Sequence, residues 1–154
     1  MKRLLGVVLA SVLILTGCTA GSKIFKLPLS PLPYVMKVDA RLVTHLTVTT
    51  PTNEFAKAAT KDGAKAQVLI YYTPATGSKV IFMSAYLFPT KIFDRLKNPN
   101  QPPSYGQEVL RRNGEVLSVA GPSDSIFDPK SADGKNITAL YETIYKASTY
   151  STSP

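Results

Sequence analysis

Asn113-Gly114, set between residues 108–112 and 115–120, constrains the fold more than any other feature of the chain. A type I′ turn needs positive φ at both central positions, and Asn-Gly supplies both at little steric cost. A two-residue loop also fixes the register. Arg112 then faces Glu115 and Leu110 faces Leu117, so charge meets charge and apolar meets apolar across the two strands. Gly121-Pro122 closes the second strand. Antiparallel pairing is thus written into the local sequence.

Periodicity supplies the remaining elements. Residues 38–50 alternate, with Val38, Ala40, Leu42, Thr44, Leu46 and Val48 on one face, which predicts a half-buried strand. Thr50-Pro51 offers a helix start and Gly63 a stop around a short helix over 54–61. Residues 66–73 read as the next strand and 74–78 as a turn. Residues 80–88 are almost continuously apolar, as in a central strand covered on both faces. A helix over 90–96 would bury Ile92, Phe93 and Leu96, and the proline-rich stretch 98–104 is an exposed loop. After a loop over 123–134 comes a last helix at 135–147, where Ile137, Leu140, Tyr141, Ile144 and Tyr145 share a face. Residues 149–154 are expected to fray. The order β-α-β-β-α-β-β-α predicts one α+β domain over 38–154, a single antiparallel sheet of about five strands with two or three helices packed on one face.

Length and composition agree with one domain: 154 residues, 44% hydrophobic and 18% charged, enough apolar material for a core and too much for a disordered chain. The formal net charge of +8 suits an anionic partner. A single cysteine cannot pair within the chain.

That cysteine closes a distinctive N-terminus. Lys2 and Arg3 precede an apolar run from Leu4 to Leu15, too short to cross a bilayer as a helix but of the length and polarity of a secretory signal. Leu15-Thr16-Gly17-Cys18 follows. These residues resemble the lipobox of bacterial lipoprotein precursors. The resemblance implies removal of residues 1–17 as a signal peptide and a diacylglyceryl group on the Cys18 thiol, hence a lipid bilayer as the first partner. It also implies a place on the extracytoplasmic face of the cell envelope, and Thr19, rather than Asp, would permit outer-membrane sorting in a double-membraned bacterium. Cleavage would remove the charges of Lys2 and Arg3, lowering +8 to +6. Acyl chains add about 0.8 kcal/mol of membrane affinity per buried methylene, so two long chains hold stably.

Residues 18–37 read as a tether to the domain, small at first and then stiffened by Pro28, Pro31 and Pro33. Lys23, Lys26 and Lys37 would lie near the bilayer. Ile24, Phe25, Leu27, Leu29, Leu32 and Tyr34 are unusually apolar for a tether and suggest that part of it packs on the domain or lies among headgroups.

No catalytic, cofactor or metal set stands out. His45 is the only histidine and falls on the polar face of a predicted strand, and no G-x-S-x-G accompanies any serine. Asp124, Asp128 and Asp133 offer oxygen ligands, but their spacing is not that of an EF-hand, and Asx turns or a helix cap account for them more simply. Gly106, Gly114 and Gly121 are too scattered for a phosphate-binding loop. Lysines dispersed through the chain read as solvated surface, and export argues against nucleic acid as the partner. Tyrosine, present 8 times, carries both apolar area and a hydroxyl and suits binding surfaces. Pro102 and Tyr105 of the proline-rich loop, with Arg111 and Arg112 of the hairpin, form the candidate binding surface. The sequence therefore favours a lipid-anchored, non-catalytic domain binding a protein or envelope polymer. The alternative is a small envelope enzyme or enzyme inhibitor using dispersed carboxylates or tyrosines.

Overall fold

A computed structural model describes residues 23–122 and 125–153. The strands are β1 (Ile24–Pro28), β2 (Tyr34–Asp39), β3 (Leu46–Thr49), β4 (Ala66–Tyr72), β5 (Val80–Pro89), β6 (Gln107–Arg112), β7 (Glu115–Ala120) and β8 (Tyr150–Thr152). The helices are α1 (Glu54–Lys61), α2 (Thr90–Leu96) and α3 (Ala132–Ile144). The architecture is α+β, but it holds two antiparallel sheets instead of one: a five-stranded sheet in the order β3-β4-β5-β7-β6 and a three-stranded sheet in the order β1-β2-β8.

The larger sheet follows the sequence pattern closely. Arg112 pairs with Glu115 and Leu110 with Leu117 about a turn in which Asn113 and Gly114 have φ of 52° and 76°. The apolar strand β5 sits in the middle, hydrogen-bonded to β4 on one side and β7 on the other. Its alternate residues feed two cores. Met83, Ala85 and Leu87 join Val68, Ile70, Tyr72, Leu117 and Val119 on one face. That face is covered by α3 through Ile137, Leu140 and Ile144, and by the three-stranded sheet through Leu27, Met36 and Val38. On the opposite face Phe88 and Val116 meet Ala59 and Ala64, at the end of α1, and Phe93 of α2. Helices thus lie on both faces, because β5 is apolar on both.

The three-stranded sheet corrects the reading of residues 24–37 as a tether. Leu27, Leu29, Leu32, Tyr34 and Met36 are buried, and the prolines end β1 and shape the turn into β2 without interrupting either ladder. Burial of this apolar set outweighs the extended preference of isolated prolines. The single strand expected over 38–50 is likewise divided. Asp39 accepts from the Arg41 amide at 2.9 Å, an Asx turn, and a 3-10 turn at Val43–His45 precedes β3. At the other end, residues 150–152 do not fray: β8 pairs with β2, and Tyr150 is buried with its hydroxyl donating to the Ile144 carbonyl at 2.7 Å.

Helix boundaries shift to the better caps. Asn53 Oδ1 accepts from the Ala56 amide at 3.1 Å to start α1, in place of Thr50-Pro51. Ser131 Oγ accepts from the Gly134 amide at 2.9 Å, starting α3 three residues earlier than the apolar stripe suggests. Gly134 is required here, since a β-carbon would come within 2.0 Å of the Asp128 carbonyl oxygen. Among the described residues no helix is long and apolar enough to cross a membrane.

Candidate functional site

A groove of about 760 Å³ lies between α1 and the start of β4. Lys57 and Lys61 stand one turn apart on α1 and face the same way. Gly63, with φ of 99°, ends the helix and reverses the chain, so that Lys65 arrives beside them. The amide of Lys65 donates to the Leu87 carbonyl at 2.8 Å, which fixes the groove to the end of β5. Thr50, Pro51 and Thr52 form one wall, and Pro31 of the β1–β2 turn completes the rim.

Among the described residues, every charged side chain lining this groove is a lysine. Lys57 pairs with Glu54 at 2.6 Å and Lys65 with Glu115 at 2.7 Å, while Lys61 has no carboxylate partner among the described residues. Gln67, only 8% exposed and paired with Tyr86 in the β4–β5 ladder, also lines it. Ammonium groups, threonine hydroxyls and a carboxamide together offer donors to an oxygen-rich anion. Among the described residues the lining holds no carboxylate, imidazole or thiol.

The surface expected from the sequence is arranged otherwise. Tyr105 turns inward: its hydroxyl donates to Asp62 at 2.5 Å and its ring packs on Tyr86 and Phe88. Burial first, then the bond to Asp62, push its pKa up to about 12. Arg111 is tied to Asp94 of α2 and to Glu108 of its own strand, with four contacts between 2.7 and 3.0 Å. Pro102 and Arg112 are exposed. The neighbouring groove, about 480 Å³ and lined by Phe93, Lys97, Pro99, Pro103 and Glu108 among others, is lined by none of the four residues singled out.

The Arg111 network has a pH consequence. Hydrogen bonds from Arg111, aided by Lys97, hold the carboxyls of Asp94 and Glu108 down to about 2, from ordinary values of 3.8 and 4.5. Both groups bind protons less readily folded than unfolded, so their contribution is complete above pH 4.5 and is lost as pH falls toward 2. Urea midpoints measured between pH 5 and 2.5 should therefore decline, and the decline should be shallower in Arg111→Gln. Equal slopes in the two proteins would show that the network does not couple to folding.

The remaining candidates serve the fold. His45 stacks on Tyr72 at 5.3 Å, and its Nδ1 lies 2.8 Å from the Thr73 carbonyl, so that nitrogen carries the proton. Tyr72 donates to Asp133 at 2.7 Å and accepts from Asn136 at 3.1 Å, which ties the first turns of α3 to the end of β4. Asp128 accepts from the Lys130 amide at 2.8 Å, an Asx turn. Asp124 and the lipobox residues Leu15, Thr16, Gly17 and Cys18 lie outside the described residues.

No protein-family model, curated protein or solved structure matches the chain. The lysine-lined groove was hidden in the sequence by the spread of its parts. The usable signal was the spacing of Lys57, Lys61 and Lys65, interrupted by the glycine that turns the third back toward the first two.

Proposed function

We propose that the chain is a bacterial lipoprotein, held at the extracytoplasmic face of a membrane through diacylglyceryl on Cys18, whose non-catalytic domain binds an anionic component of the cell envelope. The observation that carries the binding half is the groove in which all the charged lining is cationic. Such a groove favours phosphate- or carboxylate-bearing chains, because several ammonium groups at fixed spacing each find a charge-assisted partner along a polymer. The lipobox supports the anchoring half.

Each half has its own measurement. In cells fed labelled palmitate, the wild-type protein should carry the label and sediment with membranes, and Cys18→Ser should do neither. A mutant that remains labelled removes the anchor from the reading. For the groove, poly(glycerol phosphate) should bind the protein and uncharged dextran should not. Charge reversal in Lys57→Glu/Lys61→Glu should weaken polymer binding on the order of tenfold or more at low salt. Unchanged affinity would remove the groove from the binding function.

A further inference from the structure

We propose that the domain docks on anionic lipid through the start of β1, so that the membrane is bound by the folded surface as well as by the acyl chains. The proposal rests on anchoring at Cys18 and adds an orientation to it.

Two large apolar side chains, adjacent in sequence, are both exposed at the start of β1. Ile24 is 58% exposed and Phe25 is 44% exposed, both at the beginning of the outer strand β1. Adjacent residues of a strand point to opposite faces, so the pair forms an apolar edge rather than a flat patch. Lys23 and Lys26 flank it.

Lys26 lies directly opposite Lys37 in the β1–β2 register, and both are exposed. Like charges facing each other across an antiparallel pair oppose folding slightly. An anionic headgroup layer reverses the sign of that term. Beside them is a cleft of about 500 Å³ lined by Ile24, Lys37 and Lys135, where the carboxylate of Asp39 is already held by Arg41. The edge is therefore apolar at its tip and cationic around it, the combination that enters a headgroup layer with its apolar part lowest.

Chain length brings lipid within reach. Only residues 19–23 separate Cys18 from Ile24, a span of at most about 20 Å when extended. A lipidated Cys18 keeps β1 within that distance of the bilayer. The strand then leads from Ile24 to Pro28 and on to Pro31, which rims the lysine-lined groove. Docking at one end of β1 directs the groove, at the other, away from the membrane.

The test uses the intact lipoprotein reconstituted into vesicles of phosphatidylcholine with phosphatidylglycerol, with brominated acyl chains as quencher. The chain has no Trp of its own, so Phe25→Trp and Thr52→Trp report on the two ends separately. Ile24→Trp serves as a second reporter of the docking edge. Emission from Phe25→Trp and Ile24→Trp should be strongly quenched, and that from Thr52→Trp should not. Lys23→Gln and Lys26→Gln should each reduce the docked fraction relative to the undocked by about fivefold, and high salt should do the same. Protein that floats with vesicles while both edge reporters stay bright overturns docking and leaves the anchor standing. Equal quenching at residues 25 and 52 overturns the orientation. Protein that carries no acyl chain and does not float overturns the anchoring and this inference with it.

Discussion

Phe88→Ala is expected to lower the unfolding free energy by about 3–5 kcal/mol. Phe88 is fully buried on the face of β5 that carries α1 and α2. Its ring lies 6.0 Å from that of Phe93 and 5.0 Å from that of Tyr105, so it touches the helix layer and the proline-rich loop at once. Among the described residues, Ala59, Ala64, Phe93 and Val116 are the other buried members of the core on this side. Two alanines cannot move in to fill a phenylalanine-sized void while the helices are held by their own connections. The cavity therefore persists, and its cost adds to the lost transfer energy. Urea denaturation of Phe88→Ala and Phe88→Leu decides the matter, with the leucine variant expected to lose far less. A loss under about 1 kcal/mol in the alanine variant would mean that α1 and α2 unfold apart from the sheet.

Tyr150→Ala is the second large effect, about 3–5 kcal/mol for the ring, with the hydroxyl contributing about 1 kcal/mol of it. Tyr150 pairs with Met36 in the ladder and donates to the Ile144 carbonyl at the end of α3. Burial raises its pKa above the ordinary tyrosine range. The residue thus holds the three-stranded sheet and the last helix together. Tyr150→Phe keeps the packing and should lose only the smaller part, which separates the two terms. If Tyr150→Ala melts with the wild-type protein, β8 is an appendage and the fold closes without it.

Legibility in the sequence followed the range of the interaction. The hairpin at Asn113-Gly114 was readable to the register from Arg112 back to Leu110, because turn and partner lie within a few residues, but the bulge that shifts the ladder between Glu108 and Leu110 was not. The centrality of β5 was readable because a strand with two buried faces has no polar alternation. The second sheet was not, since β2 owes half its pairing to β8 near the far end of the chain, and three polar or half-polar residues carry no local sign of that partner. Prolines added to the concealment: Pro28 ends an edge strand, where a missing amide costs little, yet in sequence it resembles a linker. The alternation of residues 38–50 continued through a turn by coincidence. On the binding side, Tyr105 and Arg111 were conspicuous by type, but each had a partner that only the fold supplies, Asp62 and Asp94. The lysines of the groove were ordinary by type and became a group only by position.

The β2–β8 pairing also sets a timetable. Strands from the beginning and the end of the described chain meet in one sheet, so that sheet stays open until residue 152 is free to move. Until then the apolar faces of β1 and β2 lack their third strand, and the five-stranded sheet lacks part of its cover. Contacts of this kind form late because closing a long loop comes before any gain from the pairing. In a chain threaded through a membrane pore from its N-terminus, that delay postpones the final shape until the whole length has passed. The pairing that gives β2 its second neighbour is therefore among the last contacts to form.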